Sequence, residues 1–210
     1  MKKIFVPNTM LQQATKTLLS SEFEIVDTPE EADAICFTGG EDINPAIYNG
    51  KCMNCTYYNK NRDKYEISLY NTYSDKKFIG ICRGAQLLAA LNGCNIVQDI
   101  MSKHESPHTV DYYRQDGDIE KVVVNSYHHQ AIIRPVSFIG SFQSLMEAEP
   151  LNGYVFNEGD KYPVYVEGIY TCDMFKCNNA FGVQYHPELS GCSVRGIQCF
   201  LNEVKKFLEE

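Results

Sequence analysis

Residues 78–91 read FIGICRGAQLLAAL, an apolar run broken by a cysteine between two glycines and continued at once by a stretch rich in Ala and Leu. The run from Lys77 to Ile81 has the length and content of a buried strand, and Arg83 to Leu91 predicts a helix that stops at Asn92 and Gly93. Strand, sharp turn and helix therefore meet at Cys82, and few folds accommodate so abrupt a change of direction. Gly80 and Gly84 leave room for it. The pattern G-x-C-x-G is the cysteine counterpart of the strained G-x-S-x-G elbow that presents a nucleophile, and the positive dipole end of the following helix favours a charged sulfur. By itself the pattern fits a buried cysteine in an ordinary strand-to-helix turn equally well.

A second segment tips the balance. In FGVQYHPEL, Pro187 biases His186 toward an extended backbone, so His186 and Glu188, two apart, share one side of the chain. An imidazole next to Cys82 takes the thiol proton and returns it to a leaving amine, while Glu188 orients the ring and stabilises its charged form. Cys82, His186 and Glu188 thus make a complete nucleophile, base and orienting acid. A tetrahedral intermediate also needs N–H donors; the backbone of Arg83 at the elbow and of Gly40 in TGGED are the candidates. Gly39 and Gly40 are equally able to do no more than end a strand.

The rest of the first half alternates strand and helix. Lys3 to Val6 is a short apolar run; Met10, Ala14, Thr17 and Leu18 recur at helical spacing up to Ser20; Phe23 to Val26 and Ala34 to Phe37 read as buried strands. Tyr65, Leu69 and Tyr73 mark the apolar face of a helix within Arg62 to Asp75. This alternation predicts an α/β fold, a parallel sheet with helices on both faces, whose ligands sit at the carboxyl ends of the strands, where Gly39, Gly40 and Cys82 fall. The second half is richer in strand, with Val122 to Val124, Tyr162 to Tyr170 and Ala180 to Tyr185. Val194, Ile197, Leu201, Val204 and Leu208 then predict an amphipathic helix. With no repeat, low-complexity tract or linker, residues 1–210 are expected to form one domain.

The formal net charge of −8 argues against nucleic-acid or anionic-membrane partners, which select for surplus Lys and Arg, and favours a small-molecule or protein partner. The apolar run in MKKIFVPNTMLQQ is cut off by Pro7 and Asn8 before it reaches signal-peptide length, and no stretch approaches a membrane span, so a cytoplasmic location is expected. Nine cysteines then read as mainly buried thiols rather than a disulfide framework, with Cys82 expected to be alkylated first. No metal is expected. His104, Glu105 and His108 satisfy H-E-x-x-H, but Pro107 breaks the helix that motif requires, and Cys52 with Cys55 are poorly matched by Cys172 with Cys177.

The segments GGEDINPAIYNG, RDKYEISLY, GICRGAQLLAALNG, NIVQDI, VNSYHHQAI and GVQYHPEL, in this order from Gly39 to Leu189, resemble the class I glutamine amidotransferase family and, within it, the gamma-glutamyl hydrolase-like branch that includes gamma-glutamyl-gamma-aminobutyrate hydrolase. The resemblance implies a flavodoxin-like, doubly wound and mostly parallel sheet, a Cys82 thioester to a gamma-glutamyl group, hydrolysis by water and no cofactor. It also implies substrate-pocket roles for Gln86, Ser126, His128, His129 and Gln130; Arg83 after the nucleophile is typical of the hydrolase branch. Thr38 stands where the family often has Pro, and Pro135 to Pro163 matches nothing in it, leaving a lid and a solvated insertion both open. Three functions compete: a hydrolase releasing glutamate and an amine, a glutaminase subunit delivering ammonia to a synthetase partner, and a catalytically silent binding protein. The chain has no G-x-x-x-x-G-K-[ST] loop, so amidotransfer requires that partner, and the intact set Cys82, His186 and Glu188 weighs against a silent protein.

Overall fold

The computed structural model describes residues 1–101, 107–133, 142–148, 151–155, 164–169 and 171–210, with 151–155 and 164–169 described by backbone alone. The first half runs β1 (Lys3–Phe5), α1 (Gln12–Leu19), β2 (Glu24–Val26), β3 (Ala34–Phe37), a 3₁₀ turn (Pro45–Tyr48), α2 (Lys60–Thr72), β4 (Lys77–Ile81) and α3 (Arg83–Leu91). The second half runs β5 (Ile96–Val97), β6 (His108–Tyr113), β7 (Ile119–Val124), β8 (Ala131–Ile132), β9 (Gln143–Ala148), β10 (Leu151–Val155), β11 (Val164–Ile169), β12 (Cys172–Cys177), β13 (Ala180–Val183) and α4 (Val194–Glu209).

A 9-stranded sheet carries the order β2-β1-β3-β4-β13-β12-β9-β6-β7. From β2 to β13 every pairing is parallel, and from β13 to β7 every pairing is antiparallel. In the parallel half, side chains alternate between two cores with the period of two that a strand imposes. Ile4, Ala34, Cys36, Ile79, Ile81, Phe181 and Val183 face α1 and α4, while Phe5, Ile35, Phe37, Phe78 and Ala180 face α2 and α3. Helices on both faces of the sheet are the expected α/β architecture. No helix among the described residues is long and apolar enough to cross a membrane.

β3, β4 and α3 begin and end where the sequence places them. Other elements the structure corrects. Met10 lies outside α1, 63% exposed, and the buried positions of that helix are Thr15 and Leu19, because Leu11 in the left-handed conformation resets where the helix begins. β2 is an edge strand, not a buried one. On α2 the buried face is Arg62, Asp63, Glu66 and Leu69, whereas Tyr65 is exposed: charged groups turn inward because they pair with one another there. In α4, Val194 is exposed and the core side is Cys199, Phe200, Val204, Phe207 and Leu208.

Of Pro135 to Pro163, the described parts form β9, inside the main sheet between β12 and β6, and β10, which pairs with β11 in a separate 2-stranded sheet. A solvated insertion therefore does not describe the whole stretch. His104, Glu105 and Ser106 lie outside the described residues, as do Pro135 and Pro163 themselves.

Candidate active site

Three neighbouring parallel strands end at one place. β13 pairs with β4 in the register Val183↔Ile81, and the Cys82 N–H extends the ladder to the Val183 carbonyl at 2.7 Å. Cys82 and the Gln184-Tyr185-His186 segment are thus delivered side by side, with Thr38, Gly39 and Gly40 arriving from the end of β3 on the other flank of β4. Cys82 sits at the N-terminus of α3 with φ 50° and ψ −106°. That is a costly conformation for a residue with a Cβ, of the kind that persists where the surroundings over-determine it. It is the strained elbow anticipated from the glycine spacing.

His186 is buried, and its Nδ1 meets Glu188 Oε1 at 2.8 Å. That contact commits Nδ1 and leaves Nε2 as the ring nitrogen free to face the Cys82 sulfur, whose proximity raises the imidazole pKa. The ring lies against Gly39, where a Cβ would come within 2.4 Å of His186 Cε1. Asn125 brackets the backbone of the turn: its Oδ1 accepts the His186 N–H at 2.8 Å, and its Nδ2 donates to the carbonyls of His186 at 2.8 Å and Ser190 at 3.0 Å. The Tyr127 ring meets the His186 ring edge-on at 6.0 Å. Cys82, His186 and Glu188 are therefore brought together.

The Arg83 N–H opens α3 and is one of the donors that a helix start leaves without an intrahelical partner. On the other side of Cys82 lies a polar cradle. Gln184 Nε2 approaches the Cys82 sulfur at 3.7 Å, and Gln86 Nε2 reaches the Gln184 side chain at 3.3 Å and the Gln130 carbonyl at 3.4 Å. Ser126 Oγ and both amide atoms of the Gln130 side chain are buried without a hydrogen-bond partner among the described residues. His128 turns its Nδ1 onto the Gln130 carbonyl at 2.8 Å.

Comparison with known proteins follows the same lines. Residues 17–188 match the Peptidase C26 family. The chain belongs to that family. It is 30% identical over 189 residues to protein NtpR of Enterococcus hirae, covering 78% of this chain and 70% of that one. It is also 30% identical over 119 residues to the putative glutamine amidotransferase-like protein YvdE homolog of Lactococcus lactis subsp. cremoris, covering 48% of this chain and 63% of that one. Among solved structures, a putative GMP synthase subunit from Thermoplasma acidophilum superposes with a TM-score of 0.57 at 16% identity, covering 100% of this chain and 98% of that one. A glutamine amidotransferase from Thermotoga maritima gives 0.51 at 14% identity, covering 100% and 84%. These likenesses establish the glutamine amidotransferase-like fold. Membership of Peptidase C26 places the chain among cysteine-dependent hydrolases of C–N amide bonds.

The charge state of this Peptidase C26 site follows from its neighbours. Burial opposes charge on His186, but the Cys82 sulfur and Glu188 outweigh it and raise the imidazole pKa to about 10. The ring therefore holds its proton more tightly than a free imidazole does. The sign follows from the raised value. Stability drawn from the charged ring is complete below the unfolded pKa of about 6.5 and is lost as pH rises through about 10. An NMR titration of the His186 ring is expected to have its midpoint far above the ordinary imidazole range in the wild type and to drop toward that range in Cys82→Ala. Midpoints near 6.5 in both proteins would remove the ion pair.

Burial pushes the thiol of Cys94 up to about 12 and those of Cys192 and Cys199 up to about 11, and it raises Cys36, Cys55, Cys172 and Cys177 as well. At neutral pH those sulfurs are poor nucleophiles. His129 is committed elsewhere than the cradle: Nε2 pairs with Asp42 at 3.0 Å and Nδ1 lies 3.8 Å from Asp99, tying the strand-end loop that carries Gly40 to the loop before β8. The Asp42 hydrogen bond raises the His129 pKa against partial burial.

Several contributors escape a reading of the sequence. Asn125 stands one residue before Ser126 with nothing in its pattern to single it out, and Gln184 is hidden in an apolar strand end. Arg62, Asp63 and Glu66 did leave a signal, since their spacing puts all three on one side of α2, but apolar periodicity looks past a charged face.

Proposed function

We propose that the chain hydrolyses a gamma-glutamyl amide through a thioester on Cys82. The observation that supports this best is the cradle. Buried polar atoms without partners cost about 1–3 kcal/mol each, so Ser126 Oγ and the Gln130 amide argue for a polar ligand that completes them. The α-amino and α-carboxylate groups of a glutamyl residue supply the matching donors and acceptors, and Gln86 closes the cradle toward Cys82.

In this reading the Cys82 sulfur attacks the side-chain carbonyl carbon of the glutamyl group, and the oxygen becomes an oxyanion facing the Gly40 and Arg83 N–H groups. The His186 imidazolium passes its proton to the amide nitrogen, the C–N bond breaks, and an amine leaves. The ring, now neutral, takes a proton from water. The hydroxide attacks the thioester, glutamate departs, and the sulfur and imidazolium are restored. Glu188 holds the ring throughout. Amide and water enter; glutamate and amine leave.

The likeness to a GMP synthase subunit supports the competing reading, ammonia transfer to a synthetase. Steady-state kinetics on the isolated chain separate the two. The hydrolase is expected to show a kcat/KM for a gamma-glutamyl amine at least about tenfold above that for glutamine, a difference of about 1.4 kcal/mol in transition-state binding. Negligible turnover of every gamma-glutamyl amine, with glutaminase activity appearing only when a synthetase is added, would defeat the hydrolase reading.

A further inference from the structure

The two donors assigned to the oxyanion come from different strand ends, Gly40 beyond β3 and Arg83 beyond β4. Their relative position is set by whatever joins those segments, and a buried ion network on α2 joins them. Glu66, with a fully buried side chain, divides its carboxylate between two arginines: Oε1 accepts from Arg62 Nε at 3.0 Å, and Oε2 accepts from Arg83 Nη1. Arg83 Nη2 donates to Asp63 Oδ1 at 2.5 Å, and Asp63 Oδ2 accepts the Asn44 N–H at 3.2 Å. Arg62 uses the rest of its fork on the glycine loop. Its Nη2 donates to the carbonyls of Thr38 at 2.9 Å and Gly39 at 3.0 Å, and its Nη1 to Glu41 at 2.9 Å.

The Gly39 contact decides the direction of a donor. The Gly39 carbonyl and the Gly40 N–H belong to one trans peptide plane and point opposite ways. With the carbonyl turned onto Arg62, the Gly40 N–H is aimed away from the guanidinium. Gly40 has φ 147°, and a Cβ there would lie 2.3 Å from Arg62 Nη1, so the arginine occupies the space a side chain would take. At the other end of the network, the residue gripped by Glu66 and Asp63 is the one whose own N–H is the second donor.

We infer that Arg62 and Glu66 are positioning residues that hold the Gly40 and Arg83 N–H groups in one frame, so that the oxyanion hole is preassembled in the isolated chain. Burying this many charges brings little net stability over well-packed apolar side chains. What apolar side chains cannot do is grip two backbone carbonyls and turn a peptide plane. A hole that needs no partner to complete it is what a self-sufficient hydrolase requires. The inference rests on Cys82 as nucleophile and on the assigned donors, and not on the gamma-glutamyl part of the reading above.

Two reactions of Cys82 separate the hole from the nucleophile. Acylation by p-nitrophenyl acetate passes through a tetrahedral oxyanion and releases p-nitrophenolate; alkylation by iodoacetamide displaces iodide at a saturated carbon and forms none. In Arg62→Lys, which keeps the charge but loses the fork, the acylation burst is expected to slow by about 10²-fold while alkylation is unchanged. Glu66→Gln, similar in shape, is expected to move the same ratio in the same direction, and it carries the comparison if circular dichroism shows that Arg62→Lys does not fold. Unchanged acylation in a folded variant, or acylation and alkylation slowed to the same extent, overturns the inference. A shifted ratio in a protein that cleaves no gamma-glutamyl amide would sustain the clamp and sink the substrate assignment.

Discussion

Turnover of a gamma-glutamyl amide is expected to fall by about 10⁶-fold in Cys82→Ala and by a similar factor in His186→Ala, because nucleophile and proton carrier act as one unit. Glu188→Gln should lose less, about 10⁴-fold, and leave a measurable rate. The difference has a structural origin. Without Cys82 there is no thioester, and without His186 the leaving amine receives no proton. A Gln at 188 still touches Nδ1, where Glu188 now sits at 2.8 Å, but it no longer stabilises the charged ring in a site where burial works against that charge. Combining the three substitutions should cost little more than the largest single one. Single-turnover measurements with mass detection of the acyl-enzyme check this; appreciable turnover in Cys82→Ala would remove the covalent pathway altogether.

The sequence exposed the arrangement of Cys82, His186 and Glu188 because that arrangement is local. G-x-C-x-G dictates its own turn, and His186-Pro187-Glu188 carries base and acid within one extended tripeptide, so each half of the site can be read without knowing the fold. Joining the halves requires only that β4 and β13 be neighbours, which the parallel register Val183↔Ile81 provides. Long-range polar contacts lack any such local mark. Asn125 holds the backbone of a residue 61 positions away, and Glu66 reaches Arg83 across 17. On α2, apolar periodicity pointed to Tyr65, which is exposed, and passed over Arg62 and Glu66, which are buried. A rule that equates the inner face with the apolar face fails where the fold uses buried charge to aim backbone groups.

The antiparallel half of the sheet was obscure for a different reason. β9 reads QSLMEA and β12 reads CDMFKC, six-residue strands with acidic or basic residues among the apolar ones. Glu147 and Asp173 are nonetheless buried, so neither clean alternation nor a continuous apolar run marks these segments. Their order in the sheet, β13-β12-β9-β6-β7, also departs from chain order, and pairings between distant segments leave little trace in any short window.

Gly84→Ala is expected to be the most damaging small substitution in the scaffold of the site. A Cβ at 84 would lie 2.2 Å from the Phe37 carbonyl oxygen and 2.7 Å from its carbon, and these are backbone atoms of a strand fixed between β1 and β4. Neither a rotamer change nor a flexible side chain can relieve the contact, so α3 must rise from the sheet. Gly80→Ala meets the same obstacle from below, 2.5 Å from the Ala85 nitrogen. Gly93→Ala is the control: φ is 84° there, but nothing lies within 4 Å of the added carbon, so only the left-handed backbone penalty of about 1 kcal/mol applies. Urea unfolding is expected to show Gly84→Ala losing about 3 kcal/mol or more, well beyond Gly93→Ala. The lifted helix carries Cys82 and the Arg83 N–H with it. The fraction of Gly84→Ala that stays folded should therefore also lose about 10²-fold in turnover, the effect of a displacement of about 1 Å at a reacting group. Equal stability losses in Gly84→Ala and Gly93→Ala would mean that the helix does not rest on β3 as closely as the site geometry requires.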